Sequence, residues 1–179
     1  MRLLSTKILP QDFRDRLLMH QFSLVEQSFI KIIPFENPKI ETIFDALIFT
    51  SKNAVETVFS SPKIIKMIEG KVAYCVGKKT AMLLEENGQK VVKIVKNSLE
   101  LARFLSKNNK YQSFSYFCGK LRIPDLENIL SANGIKIQPI EVYDTQLKNQ
   151  RVKGHFDGIL FFSPSGVRGY AQSNGFENT

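Results

Sequence analysis

This sequence is poor in the residues that carry redox and metal chemistry. It holds only two cysteines and two histidines. Cys75 and Cys118 each close an apolar run instead of standing at a paired spacing, which argues against a disulfide framework and against a zinc site. They are expected as buried thiols, because a nucleophilic thiolate needs a basic partner and no histidine lies close in sequence. His20 and His155 stand alone, with no carboxylate or second histidine at ligand spacing, so a metal is not expected. Long apolar runs are missing too: stretches such as Asp45 to Thr50 are strand-sized, far short of the ~20 residues of a membrane span. The opening Met1-Arg2-Leu3-Leu4 meets Lys7 and Asp12 at once and lacks the apolar segment of a secretory signal, so a cytoplasmic location is expected. No nucleotide fingerprint is present, since Gly77-Lys78-Lys79-Thr80 looks like the end of a phosphate loop without its upstream glycine. Ser51 and Ser163 lack the flanking glycines of a nucleophile elbow. Asp45 and Asp157 precede their strands, unlike the phosphoacceptor of a receiver domain.

What is abundant is positive charge. Lys and Arg number 25 against 17 Asp and Glu, a formal charge of +8, which favours anionic partners. The basic residues Lys63, Lys66, Lys71, Lys78, Lys79, Lys90, Lys93 and Lys96 are scattered and form no tail, which weighs against nucleic acid. Phe114, Tyr116 and Phe117 do not match an RNA-recognition signature and are expected in the core.

Short apolar runs alternate with helical periodicity, the pattern of βα units in a parallel sheet. Strands are expected at Arg2 to Thr6, Ser28 to Phe35, Leu47 to Thr50, Val72 to Val76, Lys90 to Val95, Ser113 to Cys118, Ile135 to Tyr143 and Asp157 to Phe162. Helices are expected after Leu9-Pro10, around Val55, Val58 and Phe59, from Gly77 to Asn87-Gly88, around Leu101, Phe104 and Leu105, and from Leu126 to Asn133-Gly134. Asn53 with Glu56, and Asn97 with Glu100, have capping-box spacing. The polar segments Glu36-Asn37-Pro38 and Asp144 to Gly154 read as a boundary and a linker. Ile48-Phe49-Thr50-Ser51 is echoed by Leu160-Phe161-Phe162-Ser163, which suggests two similar domains.

Four strand ends carry small or hydroxyl residues at an expected helix start: Thr50 and Ser51, Gly77 and Thr80, Gly119, and Ser163 to Gly166. Free N–H groups and the helix dipole make such turns anion sites, and parallel sheets gather them at one edge. Any one of them is accounted for by ordinary capping. Four in a basic chain favour binding of carboxylate or phosphate, so the residues describe a two-domain, cofactor-free α/β binder of a polyanion.

The sequence resembles the uroporphyrinogen-III synthases. The match lies in Ile48-Phe49-Thr50-Ser51-Lys52-Asn53-Ala54-Val55, in Cys75-Val76-Gly77-Lys78-Lys79-Thr80-Ala81, in Phe117-Cys118-Gly119-Lys120-Leu121-Arg122, in Val142-Tyr143-Asp144-Thr145 and in Phe161-Phe162-Ser163-Pro164-Ser165-Gly166-Val167. Ile123 departs from the pattern, standing where many relatives carry a second basic residue. The resemblance implies two flavodoxin-like parallel-sheet domains joined by a two-stranded linker: a discontinuous first domain of residues 1–36 plus 145–179, and a second of residues 37–144. Family members continue with further elements, so the first domain is expected to be incomplete and the activity of this chain reduced.

The implied activity is that of a hydro-lyase of haem biosynthesis. It cyclises hydroxymethylbilane, an octa-anionic linear tetrapyrrole, with loss of water and inversion of the last pyrrole ring, without cofactor or metal. The implied substrate-binding residues are Thr50, Ser51, Lys52, Asn53, Gly77, Lys78, Thr80, Gly119, Lys120, Leu121, Arg122, Ser163, Pro164, Ser165 and Gly166. Tyr143 matches the family tyrosine suspected as the general acid; a packing role at the domain edge is the alternative. The resemblance further implies a monomer at full length, with no nucleic-acid or membrane partner. A noncatalytic polyanion- or tetrapyrrole-binding module of the same fold is the competing reading.

Overall fold

A computed structural model describes residues 1–108 and 113–176; residues 109–112 and 177–179 of the two expected domains lie outside them. The chain opens with β1 (Arg2–Ser5), α1 (Gln11–Met19), β2 (Ser23–Glu26) and β3 (Ile30–Pro34). It continues through β4 (Ala46–Phe49), α2 (Lys52–Phe59), α3 (Pro62–Ile68), β5 (Val72–Val76), α4 (Lys78–Glu86), β6 (Lys90–Val95) and α5 (Ser98–Lys107). β7 (Ser113–Gly119), α6 (Asp125–Ala132), β8 (Lys136–Leu147), β9 (Gly158–Leu160) and α7 (Pro164–Ala171) complete it. This is a mixed α/β fold whose sheets are dominated by parallel pairing. Two compact units result: Met1–Ile32 with Thr145–Thr179, and Ile33–Asp144.

In the second unit the strand order is β3-β8-β7-β4-β5-β6. All four residues of β4 are fully buried, because a central parallel strand is covered on both faces and therefore reads as an unbroken apolar run. On one face Ile48, Tyr74, Phe114, Tyr116 and Cys118 pack against Leu101 and Leu105 of α5 and Leu126 and Leu130 of α6. Elsewhere in the core Phe49 stacks on Phe117, with ring centroids 5.2 Å apart. The chain steps outward from β4 to β5 and β6, then returns to the other side of β4 for β7 and β8. Numbered along the chain from β4, the order is 3-2-1-4-5, not the 2-1-3-4-5 of a flavodoxin.

The first unit holds a three-stranded parallel sheet ordered β2-β1-β9. Leu4, Phe29, Phe156 and Tyr170 form its core, with Phe29 and Tyr170 edge to face at 5.4 Å. Arg14 of α1 pairs with Glu26 of β2 at 2.8 Å, and Glu26 also accepts from the Leu9 N–H at 2.6 Å. Burial alone would raise the Glu26 pKa, but these hydrogen bonds and the Arg14 charge outweigh it and lower it.

Several expectations need correction. The strand expected at Ser28 to Phe35 is the shorter β3 in the larger sheet, and a strand that was not expected, β2, precedes it beside β1. The polar segment expected from Asp144 begins as strand, because β8 runs on to Leu147. The cap of α2 is Ser51, whose Oγ accepts from the Ala54 N–H; Asn53 lies inside the helix. Asn97 does cap α5, accepting from the Glu100 N–H at 2.9 Å.

Candidate functional site

In an open parallel sheet, ligands bind beyond the strand carboxyl ends where the strand order reverses, because the two flanking loops diverge there. In the second unit that point lies between β4 and β7. Thr50 and Ser51 follow β4, Gly119 ends β7, and Tyr143 lies on the neighbouring β8.

Ser51, Gly119 and Tyr143 are physically joined. The Tyr143 hydroxyl lies 3.1 Å from Ser51 Oγ, where either oxygen can donate, and Ser51 Oγ accepts from the Ala54 N–H at 3.1 Å. Thr50 Oγ1 meets the Tyr116 hydroxyl at 2.8 Å. Tyr143 lies across Gly119, where an added Cβ would sit 2.6 Å from two ring carbons and 2.9 Å from the hydroxyl oxygen. The Lys120 N–H donates to the Tyr143 carbonyl at 2.9 Å. Pairing of β7 with β8 slips between Cys118 and Gly119, so that Cys118 opposes Glu141 while Gly119 opposes Tyr143 and Val142 is the extra residue. Bulges are rare in parallel pairs, and beside functional sites they re-aim a side chain.

The expected residues around this centre divide. Ser51, Gly119 and Tyr143 come together, whereas the Thr50 hydroxyl is engaged separately by Tyr116. Lys120 and Leu121 are exposed at the turn. Arg122 is engaged: Nε donates to Glu127 Oε1 at 2.6 Å and Nη1 to Glu141 Oε1 at 2.8 Å. Tyr116, Glu127 and Glu141 were not anticipated. Tyr116 read as core together with Phe114 and Phe117, which is correct for its ring and silent about its hydroxyl. Burial pushes that hydroxyl's pKa well above the usual tyrosine range.

Three helix starts present N–H groups that have no partner within the helix. At α2 these belong to the turn of Lys52 and Asn53, with Lys52 exposed and 3.6 Å from Glu56. At α4 the preceding residue is Gly77, whose φ of 86° an L side chain rarely adopts, and no side chain caps the helix. Lys78 is exposed there, whereas Thr80 is buried beneath the turn. A cavity of about 510 Å³ opens beside Gly77 and Lys78, walled by Lys93, Lys96 and Phe104. At α7, in the first unit, Ser163 Oγ accepts from the Gly166 N–H at 3.1 Å, Pro164 takes the first helical position, and Ser165 is half-buried. The fourth expected start is not one: Gly119 is the last residue of β7, α6 begins at Asp125, and its first turn carries Asp125 and Glu127. Carboxylates there oppose anion binding at that terminus.

The thiols are buried as expected, and no disulfide joins them. Burial pushes Cys75 up to about 11 and Cys118 up to about 12. The native protein should therefore resist a maleimide at neutral pH, while the unfolded chain takes up one label at each cysteine. Rapid native labelling at Cys118 would contradict its burial. Among the described residues no group of His, Cys, Asp and Glu could hold a metal ion, and no helix is long and apolar enough to cross a membrane.

A family model described as uroporphyrinogen-III synthase HemD, HEM4, matches residues 11–176. Among solved structures, the chain is similar to the uroporphyrinogen-III synthetase from Helicobacter pylori, with 26% identity, a TM-score of 0.69, and coverage of 99% of this chain and 81% of that one. A mutant uroporphyrinogen III synthase from the extremely thermophilic bacterium Thermus thermophilus matches with 16% identity and TM-score 0.59, covering 83% of this chain and 64% of that one. The wild-type Thermus protein matches with 15% identity and TM-score 0.52, covering 83% and 63%. The two Thermus likenesses show the fold alone, and this chain spans just under two thirds of their length. No curated protein gives a significant match.

Proposed function

The chain belongs to the uroporphyrinogen-III synthase family, hydro-lyases of haem biosynthesis, and on that premise we propose that it closes hydroxymethylbilane into a ring, with loss of water and inversion of the last pyrrole ring. The observation that carries this reading is the Tyr143 hydroxyl held against Ser51 Oγ at the point where the strand order reverses.

The chemistry needs a proton for the departing hydroxyl, and then a conformation in which the crowded carbon of the last ring attacks. With the Ser51 hydroxyl donating to the Tyr143 oxygen, the phenolic proton of Tyr143 is left for the leaving group. Ser51 is fixed for that role because its oxygen also accepts from the Ala54 N–H. Ring closure is then chiefly a matter of holding a flexible chain in one geometry. Dispersed donors suit that task better than one strong anchor.

In the second unit those donors are the starts of α2, at Thr50, Ser51, Lys52 and Asn53, and of α4, at Gly77 and Lys78, with Lys120 adding charge beside Leu121. In the first unit they are at Ser163, Pro164, Ser165 and Gly166. Thr80 serves by packing under the Gly77 turn, in keeping with its burial. Each unit is read as a doubly wound domain, with β3 and β8 as the two-stranded linker; the β2-β1-β9 order supports a flavodoxin-like first domain. The protein is read as a cytoplasmic monomer.

Tyr143→Phe tests the assignment. Loss of an acid that acts in the transition state should lower kcat roughly 10²-fold while KM stays within about twofold. Wild-type turnover in that variant would make Tyr143 a packing residue.

A further inference from the structure

The guanidinium of Arg122 touches three elements at once. It donates to Glu127 in α6 at 2.6 Å and to Glu141 in β8 at 2.8 Å, and it reaches within 3.5 Å of the Gly119 carbonyl at the end of β7. Its side chain is 21% exposed. Burial works against its charge, but the two hydrogen-bonded carboxylates outweigh burial and raise its pKa further. Among the described residues the second oxygen of Glu127, Oε2, is buried without a hydrogen-bond partner, and Arg122 pairs with the first at 2.6 Å and so balances this carboxylate. Giving up Glu127, whose side chain is 14% exposed, to take a substrate carboxylate would leave a largely buried charge uncompensated, which is strongly unfavourable.

What the arginine holds is the seat of Tyr143. Gly119 lies under the tyrosine ring, and the next N–H, from Lys120, holds the tyrosine carbonyl. Glu141 stands on the near side of the bulge, Tyr143 on the far side, and the Val142 carbonyl between them accepts from the Phe35 N–H at 2.8 Å. Arg122 thus grips both strands of the bulged pair, through Glu141 on one and the Gly119 carbonyl on the other.

We infer that Arg122, clamped between Glu127 and Glu141, is a positioning residue that sets the Tyr143 hydroxyl for proton donation and is not a contact for the substrate's carboxylates. The inference rests on the reading of Tyr143 as the acid. Lysine in its place keeps the charge but loses the planar fork that satisfies two carboxylates together.

The test is steady-state kinetics with hydroxymethylbilane for Arg122→Lys, Glu141→Gln and Tyr143→Phe, and for Arg122→Lys in the Tyr143→Phe background. The expected result is a kcat lowered roughly tenfold in Arg122→Lys, with KM and its salt dependence nearly unchanged, and less than about a twofold further loss once the hydroxyl is absent. Glu141→Gln should lower kcat in the same sense without lowering KM. Its side chain is 43% exposed, so it keeps the comparison available if Arg122→Lys folds poorly. A raised KM at wild-type kcat in Arg122→Lys, or a lowered KM in Glu141→Gln, would make Arg122 a substrate contact and overturn the inference. So would a full tenfold further loss in the Tyr143→Phe background, or wild-type kcat in both Arg122→Lys and Glu141→Gln. An unimpaired Tyr143→Phe would overturn the acid assignment, and the inference with it, in a variant that leaves Arg122 untouched.

Discussion

Gly119→Ala is expected to lower turnover by roughly 10³-fold, more than removal of the tyrosine hydroxyl alone, because it displaces the whole ring. The new methyl carbon would lie 2.6 Å from ring carbons of Tyr143, a separation that real side chains do not hold. Tyr143 cannot simply rotate away without giving up Ser51, and its backbone is tied to the turn through the Lys120 N–H. The ring, the turn or both must move, and a displacement of about 1 Å in a reacting group can cost 10²-fold by itself. The cost to stability should be that of one overpacked position, about 1–3 kcal/mol, so the variant should still fold. Comparison of kcat with the thermal midpoint checks this. A variant that folds and turns over like the wild type would mean that the ring does not need its place over Gly119.

Gly169→Ala should have the largest effect on stability. In an open helix position alanine would be favoured over glycine by about 1 kcal/mol. Here the added carbon would fall 2.4 Å from the Phe29 carbonyl oxygen and 3.0 Å from Phe29 Cβ. Backbone does not yield as a flexible side chain does, so α7 must lift from the segment that carries Phe29 and loosen the packing of Leu4, Phe29, Phe156 and Tyr170. We expect a loss of about 3 kcal/mol. Hydrogen exchange should locate it in the first unit, at Met1–Ile32 and from Thr145 onward, while Ile33–Asp144 keeps its protection. A stabilised variant would show that the helix has room there.

The strands of the second unit were legible because central parallel strands are unbroken apolar runs, and Gly88 and Gly134 marked where α4 and α6 stop. β2 was missed because Ser23 and Glu26 leave only Leu24 and Val25 to signal it, and its pairing with β1 comes from the sheet. α3 was missed because it is short, opens on Pro62 and carries two lysines. At the site, the turns after β4 and β5 were readable from local residue types, since a serine or glycine at a strand end acts locally. The clamp on Arg122 was not, because Glu141 meets it only once β7 and β8 pair. The same holds for Tyr116, whose hydroxyl partner Thr50 lies just past the end of the neighbouring strand β4. The anion site expected after Gly119 failed for a local reason: the residues from Lys120 to Pro124 separate the glycine from the helix, and that helix begins with acids.

The most direct test of the account is the product made from hydroxymethylbilane. The protein should convert it to the ring isomer in which the last pyrrole is inverted, faster than the chain closes unaided, with no cofactor or metal added and the tetrapyrrole isomers separated after oxidation. Tight binding with only the non-inverted isomer formed, at the rate seen without protein, would contradict it and leave a tetrapyrrole-binding module of the same fold.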